Sequence, residues 1–350
     1  MKKTKLLLAA LAVWGATHTQ LANAAEETTT KAGTTTAAPT DATGVTTTTA
    51  PKPPSYFLTY SYYKYDLQGT NAADTRIYKF DASTVDLHMV TATWLYSPKW
   101  TLFAFVPYIK NMVETIYEPT PAGANVKTRD YTEGLGDIRL MGMTPLVADG
   151  TNLLLADISV TLPTGSVNEY FTSVPSQRAA YNMQLGSGTP DLILGTTYSY
   201  TVSKLENSAR AQATVRGGRN ENGWALGNEL VLGVGSRYHF TKYFEAGVAG
   251  NYKARDAVQG RDDKYELHNN YGSASDPSFD PAIHGDGHQY YHAPQINWDT
   301  EIVAKVTSPS FYGVNAALEG GVSFYRDAIN KDDIRLDMPY WASASVTGSF

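Results

Sequence analysis

From Tyr56 to the C-terminus the chain carries large apolar side chains at every second position, in segments separated by polar stretches. No helical stripe interrupts the pattern. Period two is the mark of a strand with two unlike faces. In 152–162, Leu154, Ala156, Ile158, Val160 and Leu162 point one way and Asp157, Ser159 and Thr161 the other. In 208–217, Ala209, Ala211, Ala213 and Val215 oppose Arg210, Gln212, Thr214 and Arg216. The same alternation sets Phe244, Ala246, Val248 and Tyr252 against Glu245, Asn251, Lys253 and Arg255. It sets Ile302, Ala304 and Val306 against Glu301 and Lys305.

The pattern predicts about twelve strands, with boundaries good to about three residues. They lie at 56–66, 80–96, 100–112, 133–146, 152–163, 188–202, 208–217, 224–239, 243–256, 295–307, 312–326 and 335–350. Pro107 inside the third cannot donate to a ladder, so a bulge is expected there. Connections alternate between short ones, such as 97–99, 147–151 and 240–242, and long ones, such as 113–132, 164–187 and 257–294. Hairpins of this kind place both ends of the strand region on the short-turn side.

Strand length and lateral chemistry choose the architecture. Strands of soluble sandwiches average about 5–6 residues, whereas about 9–11 tilted residues cross a bilayer. The apolar face is free of charge, as a lipid-facing surface requires. Aromatics gather beside the short turns: Trp94, Tyr96, Trp100, Tyr198, Tyr200, Tyr238, Tyr243, Phe311 and Tyr312. That is where an interfacial girdle belongs. An open sheet edge would leave backbone groups unpaired in hydrocarbon, so the sheet must close. The expected fold is all-β: an antiparallel transmembrane β-barrel over 56–350, preceded by a disordered Thr/Pro-rich segment.

The first residues read as an export address. Lys2, Lys3 and Lys5 precede the apolar run Leu6–Trp14, and Ala22-Asn23-Ala24 is a small-x-small cleavage site. Residues 1–24 are therefore expected to be a signal peptide. Residues 25–55 are rich in Thr and Pro and have almost no large apolar side chain. Such a segment cannot offset its ordering entropy and is expected to be a disordered periplasmic spacer.

Composition narrows the function. The chain has 350 residues, no Cys, 24 Tyr, 18% charged residues and a net charge of −6. Without Cys there is no disulfide framework, thiolate metal site, cysteine nucleophile or lipoprotein anchor. The acidic balance gives no nucleic-acid footprint. No nucleotide-binding loop is present, since Arg216-Gly217-Gly218 lacks the rest of a phosphate cradle. Transport would be passive.

The inward face is expected to carry Asp86, His88, Asp137, Arg139, Asp157, Arg210, Arg216, Glu229, Arg237, Glu245, Lys253, Arg255, Asp299, Glu301, Lys305 and Glu319. Charges of both signs would create a transverse field that filters solutes. The alternative is a set of ion pairs that fill a narrow lumen and hold the barrel shut, with the 257–294 loop displayed as a structural or adhesive feature. His284, Asp286, His288 and His292 lie in that loop, but Gly285 and Gly287 argue against the helix that ligand spacing would need. Neither a metal nor a cofactor is expected. A lipid hydrolase would need a Ser–His pair on the outer wall. The wall histidines are His88, expected on the polar face away from lipid, and His239 at a turn, so catalysis is not expected. Expected partners are outer-membrane lipids, small solutes and the barrel-assembly machinery, through the C-terminal Phe350.

Residues 133–191 carry a family resemblance. Gly134-Leu135-Gly136-Asp137 opens one strand, Leu162-Pro163-Thr164-Gly165 closes the next, and Leu185-Gly186-Ser187-Gly188 followed by Asp191 opens the third. This order, with Val106-Pro107-Tyr108, resembles the MetA-pathway of phenol degradation family of outer-membrane proteins. Thr189-Pro190 stands where that pattern would place an aromatic. The resemblance implies a barrel in the outer membrane of a Gram-negative bacterium and uptake of aromatic or other small organic compounds. By their own chemistry, glycines at 134, 136 and 142 are expected to permit a bend or to make room for a bulky neighbour.

Overall fold

A computed structural model describes residues 55–70, 78–97, 99–117, 126–172, 178–179, 181–260, 295–328 and 335–349. The proposed signal peptide, nearly all of the Thr/Pro-rich segment, the histidines of the long loop and Phe350 lie outside the described residues.

The strands are β1 (Ser55–Thr70), β2 (Tyr78–Ser97), β3 (Trp100–Tyr117), β4 (Val126–Leu135), β5 (Ile138–Ala148), β6 (Asn152–Leu162), β7 (Asp191–Val202), β8 (Leu205–Arg216), β9 (Trp224–Ala225), β10 (Glu229–Thr241), β11 (Phe244–Arg255), β12 (Gln259–Gly260), β13 (Gln295–Thr307), β14 (Val314–Ala328) and β15 (Arg335–Ser349). Apart from the small β9–β12 sheet, neighbours pair antiparallel in one sheet. The first strand pairs with the last, Phe57 opposite Ser349, so the sheet closes into a 12-strand barrel. β4 and β5 together make one crossing, because both pair with β3.

The expected alternation of connections is present. Short turns join β2 to β3, β5 to β6, β7 to β8 and β10 to β11. Ser55 pairs with Leu95 beside one of these turns, so both ends of the described wall lie at the turn end. Asp149 caps its turn by accepting from the backbone N–H groups of Thr151 and Asn152 at 3.0 and 2.7 Å. Those bonds, Asn152's first, hold its carboxyl below the usual range. The stabilisation is present above the ordinary carboxylate range and fades as pH falls through the depressed value.

The outer surface is apolar. Val160, Leu194, Val234, Ile302 and Leu318 are 43%, 47%, 62%, 55% and 62% exposed, while alternate positions such as Asp157, Ser159 and Glu301 are buried. A bilayer requires this inversion of the soluble pattern, since lipid covers what water would reject. Toward the turn end, Trp94 stacks on Tyr56 at 5.8 Å, and Phe240 packs against Tyr238 and Phe244 at 4.9 and 5.2 Å.

The irregularity expected at Pro107 falls on its partner. β2 pairs regularly through Met89 and Pro107. The break is at Gly136 and Asp137, where the Gly136 N–H donates to the Pro107 carbonyl at 2.9 Å. A Cβ on Gly136 would meet Ile109 Cδ1 at 2.8 Å and the Leu185 carbonyl oxygen at 3.2 Å, so glycine leaves these neighbours in place at the break.

Candidate functional site

The inner wall has two unlike sectors. Strands β1, β2, β3, β5 and β6 contribute a buried apolar cluster that includes Tyr63, Leu87, Met89, Phe105, Met141 and Leu155. On β2, alternation that set Asp86 and His88 inward left Leu87 and Met89 to lipid, and here the structure corrects it. The remaining strands, with Arg139 on β5 and Asp157 on β6, contribute charge.

The charges are paired around the wall. Asp157 lies between two guanidinium groups, 3.2 Å from Arg210 and 3.8 Å from Arg139. Arg216 meets Asp191 at 2.5 Å, and Lys253 meets Glu229 at 2.6 Å. Nearer the turn end, Arg237 bridges Glu245 and Glu319 at 2.7 and 2.9 Å, and Lys305 stands 3.8 Å from Glu245. His239 lies 3.1 Å from Glu245 and 3.3 Å from Glu206. Asp299 accepts from Asn251 at 2.7 Å, and Glu301 accepts from Trp341 Nε1 at 2.7 Å. Arg255 is buried opposite Glu229 in register. Such pairs contribute little net stability against apolar packing, but they fix geometry, because removing one partner strands a buried charge.

Asp86 and His88 are the exceptions among the expected inward residues. Both face outward. They share a register row with Lys64 and Tyr62 on β1 and with Lys110 and Tyr108 on β3. Tyr108 is 41% exposed, whereas Leu87 and Met89 are 4% and 1% exposed. The physical reason is the apolar inner sector: with Leu87 and Met89 packed inward, alternation drives the even positions of β2 out. These outward polar groups satisfy one another along the wall. Tyr60 hydrogen-bonds His88 Nδ1 at 2.7 Å, Tyr62 donates to Asp86 at 2.7 Å, and Lys110 pairs with Glu133 at 3.1 Å. His88 therefore stands on the outer wall, contrary to expectation, with tyrosine as its described side-chain hydrogen-bond partner. One signal was present. Even positions of β2 run from Asp86 and His88 to Val90 and Ala92, while odd ones run from Leu87 and Met89 to Thr91 and Thr93, so polarity switches along each face.

The three glycine-containing motifs meet at one carboxylate. Asp137 Oδ1 accepts from the Gly165 N–H at 2.9 Å; its Oδ2 accepts from the Ser187 N–H at 2.7 Å and hydroxyl at 2.8 Å. A Cβ on Gly186 would collide with Asp137 Oδ1 and with Gly165. Thr164 donates to the Gly136 carbonyl at 2.8 Å and Thr132 to the Met183 carbonyl at 2.7 Å. The segment between β6 and β7 is thereby tied to the wall. Its Val167 and Tyr181 pack with Trp224, Leu226 and Val258. Sequence reasoning placed this segment as a long loop and missed that it folds back onto the wall.

Below the segment lies a cavity of roughly 240 Å³. Val85, Leu87, Met89 and Phe105 line one side, and Arg139, Asp191, Arg216 and Glu229 line another.

With this geometry in hand, comparison with known proteins bears on the fold. No protein-family model matches the chain, and no curated protein matches it. The chain is similar in structure to the COG4313 outer membrane channel from Pseudomonas putida F1, with a TM-score of 0.52, 11% identity, and 84% of this chain and 95% of that one covered. The fold is thus one that an outer-membrane protein adopts. A Pseudomonas aeruginosa FadL homologue superposes with a TM-score of 0.33 at 10% identity, covering 85% of this chain and 90% of that one. OprD from Pseudomonas aeruginosa gives 0.32 at 8%, covering 86% and 94%.

Proposed function

We propose that the protein is a passive outer-membrane channel for small solutes, extending to hydrophobic and aromatic compounds. The observation that carries this reading is a closed barrel with an apolar outside and a two-sided interior, apolar on one arc and charged on the other, around an internal cavity. A solute crossing such a lumen finds a surface for its carbon skeleton and a field for its polar groups. The motif resemblance to the MetA-pathway family and the likeness to a protein described as an outer membrane channel support the same reading.

The lining of the path in this proposal is Asp137, Arg139, Asp157, Arg210, Arg216, Glu229, Arg237, Glu245, Lys253, Arg255, Asp299, Glu301, Lys305 and Glu319, without Asp86 and His88. Residues 1–24 act as the export signal, 25–55 as a periplasmic spacer, and Phe350 as the handle for barrel assembly. The protein acts without catalysis. The second reading, a filled barrel that serves structure or adhesion, draws on the density of ion pairs and on the segment tied across the loop end.

A planar-bilayer recording separates the two. The purified full-length chain is expected to give discrete ion-conducting steps. Silence that persists after removal of residues 25–55 would favour the filled barrel. Phospholipid hydrolysis by the purified protein, lost on His88→Ala, would instead place it among enzymes.

A further inference from the structure

We infer that the cavity is a binding site for small aromatic carboxylates, with the ring on the Leu87–Met89–Phe105 wall and the carboxylate on Arg139. This names a solute class for the channel proposed above and rests on that reading for access from outside.

Two observations select an anionic head. The first is the state of the charged groups. Each carboxylate lining the cavity already accepts from a partner: Asp137 from the segment's Gly165 and Ser187, Asp191 from Thr189 and Arg216, Glu229 from Lys253. The unsatisfied capacity is on a donor. Arg139 is only 5% exposed, and its Nη2 donates to Ser159 at 2.8 Å. Its Nε has no hydrogen-bond partner among the described residues. That Nε is itself sealed from the cavity, but the Arg139 side chain lines it, and a charged donor in such a wall favours an anionic acceptor. The second is charge balance. Arg139 shares Asp157 with Arg210, which lies closer to it, so two cations face one anion.

The ring follows from the other wall. Leu87, Met89 and Phe105 are at most 4% exposed and line the same cavity. The Arg139 guanidinium carbon is 5.8 Å from the centre of the Phe105 ring, so a ligand can touch both at once. The volume, roughly 240 Å³, is below the range of about 300–1,000 Å³ typical of drug-sized ligands. It suits one ring with one carboxylate and excludes a lipid.

The test is calorimetric titration of the full-length protein in detergent micelles with benzoate, benzyl alcohol and acetate. Benzoate should bind about tenfold or more tightly than either of the others, a difference that one buried charge-assisted contact supplies. Arg139→Gln should remove that preference for benzoate over benzyl alcohol. Leu87→Gln should weaken both. Equal affinity for benzoate and benzyl alcohol in the wild-type protein would overturn the inference, as would unchanged benzoate binding in a folded Arg139→Gln. If Arg139→Gln does not fold, the wild-type series and Leu87→Gln still decide. The titration needs no ion flow. Benzoate binding in a protein that shows no bilayer current would defeat the channel reading alone, and current without benzoate selectivity would defeat this inference alone.

Discussion

Asp137→Ala is expected to raise the single-channel conductance several-fold while leaving the barrel folded. The carboxylate accepts three hydrogen bonds, two from Gly165 and Ser187 backbone N–H groups and one from the Ser187 hydroxyl. Bonds to a charged acceptor contribute roughly 1.5–3 kcal/mol each. Losing even one shifts the ratio of docked to undocked segment by about tenfold or more. The strand ladders do not depend on this side chain, since β3 pairs with β4 on one side of the break and with β5 on the other. Planar-bilayer recording of the purified variant checks the prediction. Retention of the slower gel mobility on heating shows that the barrel is intact. An unchanged conductance from a folded variant means the segment does not obstruct the solute path.

The second large effect is an asymmetry between neighbours. Val160→Arg should impair folding into bilayers far more than Thr161→Arg. Val160 is 43% exposed on the outer face, between Leu140 and Leu192 in register. Arginine on the lipid face costs up to roughly 2–4 kcal/mol at the midplane and less toward the interfaces. Thr161 lines the internal cavity between Arg139 and Asp191 in register, where an added cation meets polar groups of both signs and no acyl chains. Urea titration of folding into lipid vesicles reads the difference as a shift in midpoint. Equal tolerance at both positions would mean that the valine side does not face acyl chains.

Legibility varied with the sector. In β6 the alternation of Ile158 and Val160 with Asp157 and Ser159 gave both the strand and its faces, because from Ala156 to Leu162 one side is apolar and the other polar. β8 behaves the same way, with Arg210 and Thr214 buried and Val215 exposed. In β2 the rule failed for Asp86 and His88. Period two states only that neighbours point to opposite faces. It states nothing about which face is inside when each carries both polar and apolar residues. The motif at Gly134 to Asp137 was visible as a motif, and its glycines were correctly read as permitting a bend or close packing. Its meaning was not visible, because the partners of Asp137 lie 28 and 50 residues away.

By itself the sequence determined the number of crossings, the alternation of tight turns with long loops, and an outer face fit for lipid. These follow from local repetition, which each strand carries within itself. Only the tertiary structure decided that the interior is divided between an apolar arc and a charged arc. It also decided which acid meets which base, and that the segment between β6 and β7 is anchored on Asp137. Those outcomes depend on what stands beside and across the lumen from each residue, and closing the sheet creates that neighbour.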